Sequence, residues 1–169
     1  MGDSLAAVLV LALLIVFISL GTRAYLVGDT VVRLAEKEAF DLTEKRARTD
    51  FRIEVSAPSG SSLTVTVKNE GIVSFSDFAH MDFIVKYVST AGGGTTVITW
   101  LTYTTGVLAA DEWKKTSITP DNLEPNVWNR TETMTLDALV ANTLQSGTTG
   151  TLTVVTPNGV AATGFFTVQ

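Results

Sequence analysis

Sixteen consecutive residues, Leu5 to Leu20 (LAAVLVLALLIVFISL), contain one polar side chain, Ser19. This run constrains the chain more than any other feature, because it must be taken out of water by a core, a membrane or other chains. After Gly21, Thr22 and Arg23 the apolar character resumes at Ala24, Tyr25, Leu26 and Val27. A helix over 5–27 would span roughly 35 Å, about a bilayer's hydrocarbon thickness with some margin. Arg23 would then lie near a membrane surface, where its stem lets the guanidinium reach water.

Three features argue against a secretory signal that is removed. No Lys or Arg precedes the run, no small-x-small site ends it, and the helical pattern does not stop. Val27, Val31, Leu34, Glu38 and Leu42 follow at spacings of three and four among dense mixed charge, the stripe of a helix with one packed face. Glu44 and Arg48 stand at i,i+4 with the acid first, the favourable order. No proline or glycine occurs from Thr30 to Ala57. These observations predict one continuous helix from about Ser4 to about Asp50, apolar first and amphipathic later. Its packing positions are Leu5, Val8, Leu9, Leu13, Val16, Phe17, Leu20, Val27, Val31, Leu34 and Leu42.

From Phe51 the period changes from 3.6 to 2. FRIEVSA (51–57), SLTVTVKN (62–69), FIVKYV (83–88), TTVITWLTY (95–103), TETMTLDAL (131–139), LTVVT (152–156) and FFTVQ (165–169) read as strands. Pro58-Ser59-Gly60, Asn69-Glu70-Gly71, Gly92-Gly93-Gly94 and Pro157-Asn158-Gly159 separate them with turn chemistry. The expectation is an α+β chain: a long helix over 1–52, then an all-β immunoglobulin-like sandwich over 53–169. The core would draw on Leu63, Val65, Val67, Phe83, Val85, Val97, Trp100, Met134, Leu136 and Val154, with Trp113 and Trp128 packed in core or turns.

Charge divides at the same place. Residues 1–52 hold seven basic and seven acidic residues, and 53–169 hold five and ten. An acidic head and a net charge of −5 argue against nucleic acid as the main partner, since phosphate binding needs a basic field. No cysteine means no disulfide, thiol nucleophile or Cys-type metal site. The single histidine, His80, stands between Asp77 and Asp82, but no nucleophile accompanies it. Asp77, Asp82, Asp111, Glu112, Asp121 and Glu124 could offer oxygen to calcium, yet they match no calcium loop. The glycine triplet lacks the Lys-Ser/Thr of a phosphate loop, and no G-x-S-x-G elbow occurs. The reading is therefore of a protein that is not an enzyme and holds no cofactor or metal. Asn129-Arg130-Thr131 is an N-glycosylation acceptor sequence at the entry to a strand.

Several stretches carry a resemblance. They are Gly2-Asp3-Ser4 before the apolar run, the helix to Asp50, VTVKNEGIVSFSDFAHMDFIV (65–85), EPNVWNRTETMTL (124–136) and TVVTPNGVAATGFFTV (153–168). The chain resembles the archaeal branch of the type IV pilin superfamily, the archaellins and their small pilin-like archaellar companions. The likeness covers essentially the whole chain, and its motifs are architectural. Leu5 stands where bacterial pilins carry a glutamate, which favours the archaellar branch. The resemblance implies a subunit of an extracellular helical filament for motility or adhesion. It would be inserted in the membrane before assembly, would polymerise with copies of itself, and would be served by an assembly ATPase and a membrane platform. Two other readings stay open. One is a minor archaellar component whose anchored sandwich binds a cell-envelope layer, stator-like. The other is an anchored sandwich that binds a ligand or serves an enzyme.

Overall fold

The computed structural model describes residues 2–56, 58–91 and 93–169, with the side chains of residues 2–8 and of Ala24 outside the description. Ala57, at the end of the first expected strand, and Gly92, the first of the three glycines, also fall outside it. One helix, α1, runs over Gly2–Ala47. Eight strands follow: β1 Phe51–Val55, β2 Ser62–Asn69, β3 Asp82–Ser89, β4 Thr95–Tyr103, β5 Glu112–Thr119, β6 Thr133–Leu139, β7 Thr149–Val155 and β8 Ala161–Thr167. The chain forms two compact units, Met1–Thr43 and Glu44–Gln169, so the last turn of α1 belongs to the head.

The helix has 46 residues, about 70 Å at 1.5 Å per residue. It ends three residues before Asp50 because the next carbonyls are taken by the head. Thr49 N–H turns back to the Arg46 carbonyl at 3.1 Å, tightening the last turn. The Arg48 carbonyl accepts from Ile72 N–H at 3.0 Å, and the Asp50 carbonyl accepts from Glu70 at 2.9 Å and Gly71 at 2.7 Å. Phe51 then enters β1.

The strands form one sheet in the order β1-β2-β6-β5-β4-β3-β7-β8. It folds into two layers, β1-β2-β6-β5 and β4-β3-β7-β8, with antiparallel pairing inside each. The layers are joined where β4 and β5 pair in parallel at Thr102–Glu112 and Tyr103–Trp113. At the far side β1 and β8 meet: a Cβ on Gly164 would lie 2.8 Å from Ile53 Cγ2. The result is a nearly closed sandwich, and the chain as a whole is α+β.

Alternation places the core between the layers. Leu63, Val65, Val67, Phe83, Val85, Met134, Leu136 and Val154 are all buried, as their parity requires. Trp113 and Trp128 are fully buried; Trp113 stacks on Phe83 at 3.9 Å between ring centres, and Trp128 meets Phe51 and Phe75 at 6.0 and 5.7 Å. Trp100 corrects the expected core. It and Val97 are three residues apart on a regular strand, so they face opposite sides. Val97 packs against the core, and Trp100 stands outside, 65% exposed.

The unforeseen strand is β5 (EWKKTSIT). Its two buried apolar residues, Trp113 and Ile118, are five apart, which no strict alternation can turn to one side. A bulge between Lys115 and Ser117 absorbs the extra residue, so Trp113 faces Ala138 and Ile118 faces Met134.

Candidate assembly site

Within the helical unit, every large apolar side chain described is open to solvent. Leu13 is 58% exposed, Phe17 76% and Leu34 67%; Leu9, Val16, Leu20, Val27, Val31 and Leu42 are exposed as well. Leu5 and Val8 lie among the residues whose side chains are outside the description. At 100° per residue, Leu9, Leu13, Val16, Leu20, Val27, Val31, Leu34 and Leu42 fall within an arc of roughly 80°, the width of a seam rather than of a whole face. Phe17 lies just beside it.

Three threonine hydroxyls of this unit are satisfied within the helix, without water. Thr22 Oγ1 donates to the Ile18 carbonyl at 2.7 Å, Thr30 Oγ1 to Val27 at 2.8 Å, and Thr43 Oγ1 to Ala39 at 2.8 Å. Arg33 and Asp29 pair one turn apart at 2.8 Å. Among the described residues this is one helix long and apolar enough to cross a membrane.

The head builds a socket for its own portion of the helix, Glu44–Ala47, and for the exit that follows. The β7–β8 turn contributes Asn158, whose carbonyl accepts from Arg46 Nε at 2.7 Å and whose Nδ2 donates to Thr49 Oγ1 at 2.6 Å. The loop after β2 contributes Gly71. A Cβ there would sit 2.5 Å from the Asp50 nitrogen and 2.6 Å from the Arg48 carbonyl oxygen, so only glycine fits. Asn69 holds that loop: its Oδ1 accepts from Gly71 N–H at 3.1 Å and its Nδ2 donates to the Val73 carbonyl at 2.8 Å. The segment before β6 contributes Trp128, which packs on Phe51 and donates its indole N–H to the Glu132 carbonyl at 3.0 Å. Arg48 and Glu44 pair at 2.9 Å across the last turn.

All three head stretches that carry the sequence resemblance, 65–85, 124–136 and 153–168, thus meet at the helix exit. Sequence reasoning named these stretches but gave no role to Arg46, Gly71 or Asn158. The signals were present as turn residues, Asn69-Glu70-Gly71 and Pro157-Asn158-Gly159. What they grip lies a hundred residues away in the second case.

The other chemically suggestive residues are surface or structural. His80 Nδ1 lies 2.7 Å from Asp77 Oδ2, both side chains exposed, at a 3₁₀ turn, Phe78–His80, that buries Phe78. Asp111, Glu112 and Asp121 accept backbone N–H bonds from Ala141, Ala109 and Asn126 at 3.0, 2.8 and 3.1 Å. Among the described residues no group of three or more metal-binding side chains converges. Asn129 is 6% exposed, its Nδ2 donates to the Val127 carbonyl at 3.2 Å, and its backbone N–H donates to the buried Glu132 carboxylate at 2.7 Å.

No protein-family model matches this chain, and no curated protein matches it by sequence. Solved structures do. The archaeal flagellum of Methanospirillum hungatei strain JF1 aligns at a TM-score of 0.62 and 16% identity, over 98% of this chain and 93% of that one. The fold is that of archaellum proteins. The archaellum periplasmic stator protein FlaG from Sulfolobus acidocaldarius aligns at a TM-score of 0.51 and 18% identity, over 70% of this chain and 99% of that one. The FlaF and FlaG stator complex from the same organism gives 0.51 and 18%, over 69% and 87%.

Proposed function

We propose that this chain is a structural subunit of an extracellular, archaellum-type helical filament, with its α1 segments packed in the filament core and its sandwiches outside. The observation that carries this reading is the long helix whose large apolar side chains, among those described, are all exposed in the single chain. Each such side chain left in water forgoes about 1.5–3 kcal/mol. The chain therefore moves between two hosts for α1, a membrane before assembly and a bundle of identical helices afterwards. Transfer from lipid to bundle gains little from the hydrophobic effect, so extraction draws on packing and on an external energy source. An assembly ATPase and a membrane platform are the partners that this step calls for.

In this reading residues 1–52 serve storage and core packing, through Leu5, Val8, Leu9, Leu13, Val16, Phe17, Leu20, Val27, Val31, Leu34 and Leu42, and residues 53–169 form the outer head. Motility or adhesion is work for the assembled filament at the cell surface, and the role is structural, not enzymatic. A match over 98% of the chain must include α1, which supports a filament subunit.

A stator-like component is the second reading, supported by the likeness to FlaG over 70% of the chain. Electron microscopy and peptide mapping of material sheared from cells separate the two. A filament subunit dominates the sheared fibres, whereas recovery only in detergent-extracted membranes would rule that role out and leave the stator-like one.

A further inference from the structure

The sandwich has one unguarded edge. Strand β4 pairs with β3 from Thr95 to Leu101 without irregularity, but with β5 only at Thr102 and Tyr103. Thr102 and Thr104 N–H both donate toward β5, to the Asp111 and Trp113 carbonyls at 2.9 Å. Strand geometry sends the backbone groups of alternate residues to the same side. Those of Thr96, Ile98 and Trp100 therefore face away from β3, beyond the reach of β5.

Protein edges are normally blunted by charge, proline, a bulge or a covering element. Strand β5 has a bulge and Lys114 and Lys115, and β1 and β8 cover each other. In contrast, β4 (TTVITWLTY) has no charge, proline, glycine or bulge. Its outward side chains include Ile98 and Trp100, 66% and 65% exposed, beside the half-buried Ile84 and Val88 of β3.

We infer that β4 is a self-pairing edge at which two copies of this chain join antiparallel about a two-fold axis at Ile98. This register sets Thr96 opposite the second copy's Trp100 and Ile98 opposite Ile98, so every free backbone group finds a partner. The bond between Thr102 and β5 closes one end of the edge, and the turn at Gly93–Gly94 closes the other. Only a short strand fits, and β4 itself has that length. Being uncharged, the strand places no like charges opposite one another when it meets its copy.

A two-fold contact is isologous, whereas a polar filament repeats a heterologous one along a screw. The pairing itself rests on β4 alone and not on the packing of α1. Its placing rests on the proposed function: in that reading the head pair is a state of chains held in the membrane, and filament growth must open it.

Because the chain lacks cysteine, single substitutions test the register. Across the axis the two Ile98 Cα atoms would be about 5.5 Å apart, within disulfide range. Two Thr96 Cα atoms would be about 14 Å apart, beyond it. Full-length Ile98→Cys chains in native membranes, mildly oxidised, should yield disulfide-linked dimers, and Thr96→Cys chains should not. Co-expressed Thr96→Cys and Trp100→Cys chains should link to each other, and adding Ile98→Lys to both should abolish that link. Monomeric Ile98→Cys, or Thr96→Cys dimers in equal yield, would overturn the inference. Filaments without the link leave the proposed function standing, and a link in cells without filaments leaves the head pair standing.

Discussion

At Gly71 one added carbon has nowhere to go, because the backbone of Asp50 and Arg48 occupies the space at 2.5 and 2.6 Å. Backbone cannot swing aside as a side chain can, so Gly71→Ala must push the helix exit away from the loop that binds it. Overpacking of this kind costs about 1–3 kcal/mol. Thermal unfolding of the detergent-solubilised chain, followed by the near-ultraviolet signal of the buried Trp113 and Trp128, should show a lower midpoint. An unchanged midpoint would mean that the exit is looser than its hydrogen bonds indicate. Asn129 makes a second case in which one residue's surroundings decide. Its acceptor sequence was plain, but its burial was not, because Glu132 and Val127 draw the loop inward only once Trp128 is packed. A transferase acting on the folded head has no access to the amide. Mass spectrometry of peptides covering Asn129 from native membranes should find it unmodified, and a glycan there would show that modification precedes folding.

Seven of the eight strands were legible, with ends off by a few residues, because their apolar residues keep one parity. The eighth was not, because β5 places Trp113 and Ile118 on one side only through its bulge. Deleting Thr116 makes that argument measurable. The deletion leaves Trp113 and Ile118 four apart and of one parity, so regular pairing is restored with Ile118 still opposite Met134. It removes only the exposed hydrogen bond from Thr116 Oγ1 to Asp137, worth about 0.5–1.5 kcal/mol, so the head should stay folded with Ile118 protected from labelling. Unfolding of the head, or Ile118 newly open to labelling, would show that the bulge does more than absorb the extra residue. Trp100 teaches the converse lesson: aromatic content suggested the core, while parity with Val97 already forbade it. The helix was legible almost to its end, since periodicity predicts where a helix can run. The loop that takes the carbonyls just after it, Glu70–Ile72, lies too far along the sequence for any local pattern to show. The candidate packing positions could be named from spacing alone, whereas the socket around the exit needed the fold.

On the scale of the whole chain, the units have opposite relations to water. The head buries a core between its two layers and keeps most of its charge outside, so its core is complete in a single copy even though the β4 edge is open. The described residues of the unit before it bury almost nothing, so its stability must come from a membrane or from other copies. Leu13 lies in the middle of the apolar run and near the centre of the seam, which makes Leu13→Asp the discriminating substitution. In a membrane, one carboxylate at mid-helix costs about 2.5–3.5 kcal/mol, and the rest of the run can bear it. In a bundle of identical helices the same change recurs in every subunit, bringing like charges together in a dry core with no partner to neutralise them. Leu13→Asp chains should therefore remain in the membrane fraction with the head's near-ultraviolet signal intact, yet give no sheared fibres. Leu13→Ala, which leaves only a small void, should retain them. Normal fibres built from Leu13→Asp subunits would refute the packing role of this seam. Loss of the Leu13→Asp chain from the membrane fraction would place its defect at insertion, and the Leu13→Ala fibres would then carry the test.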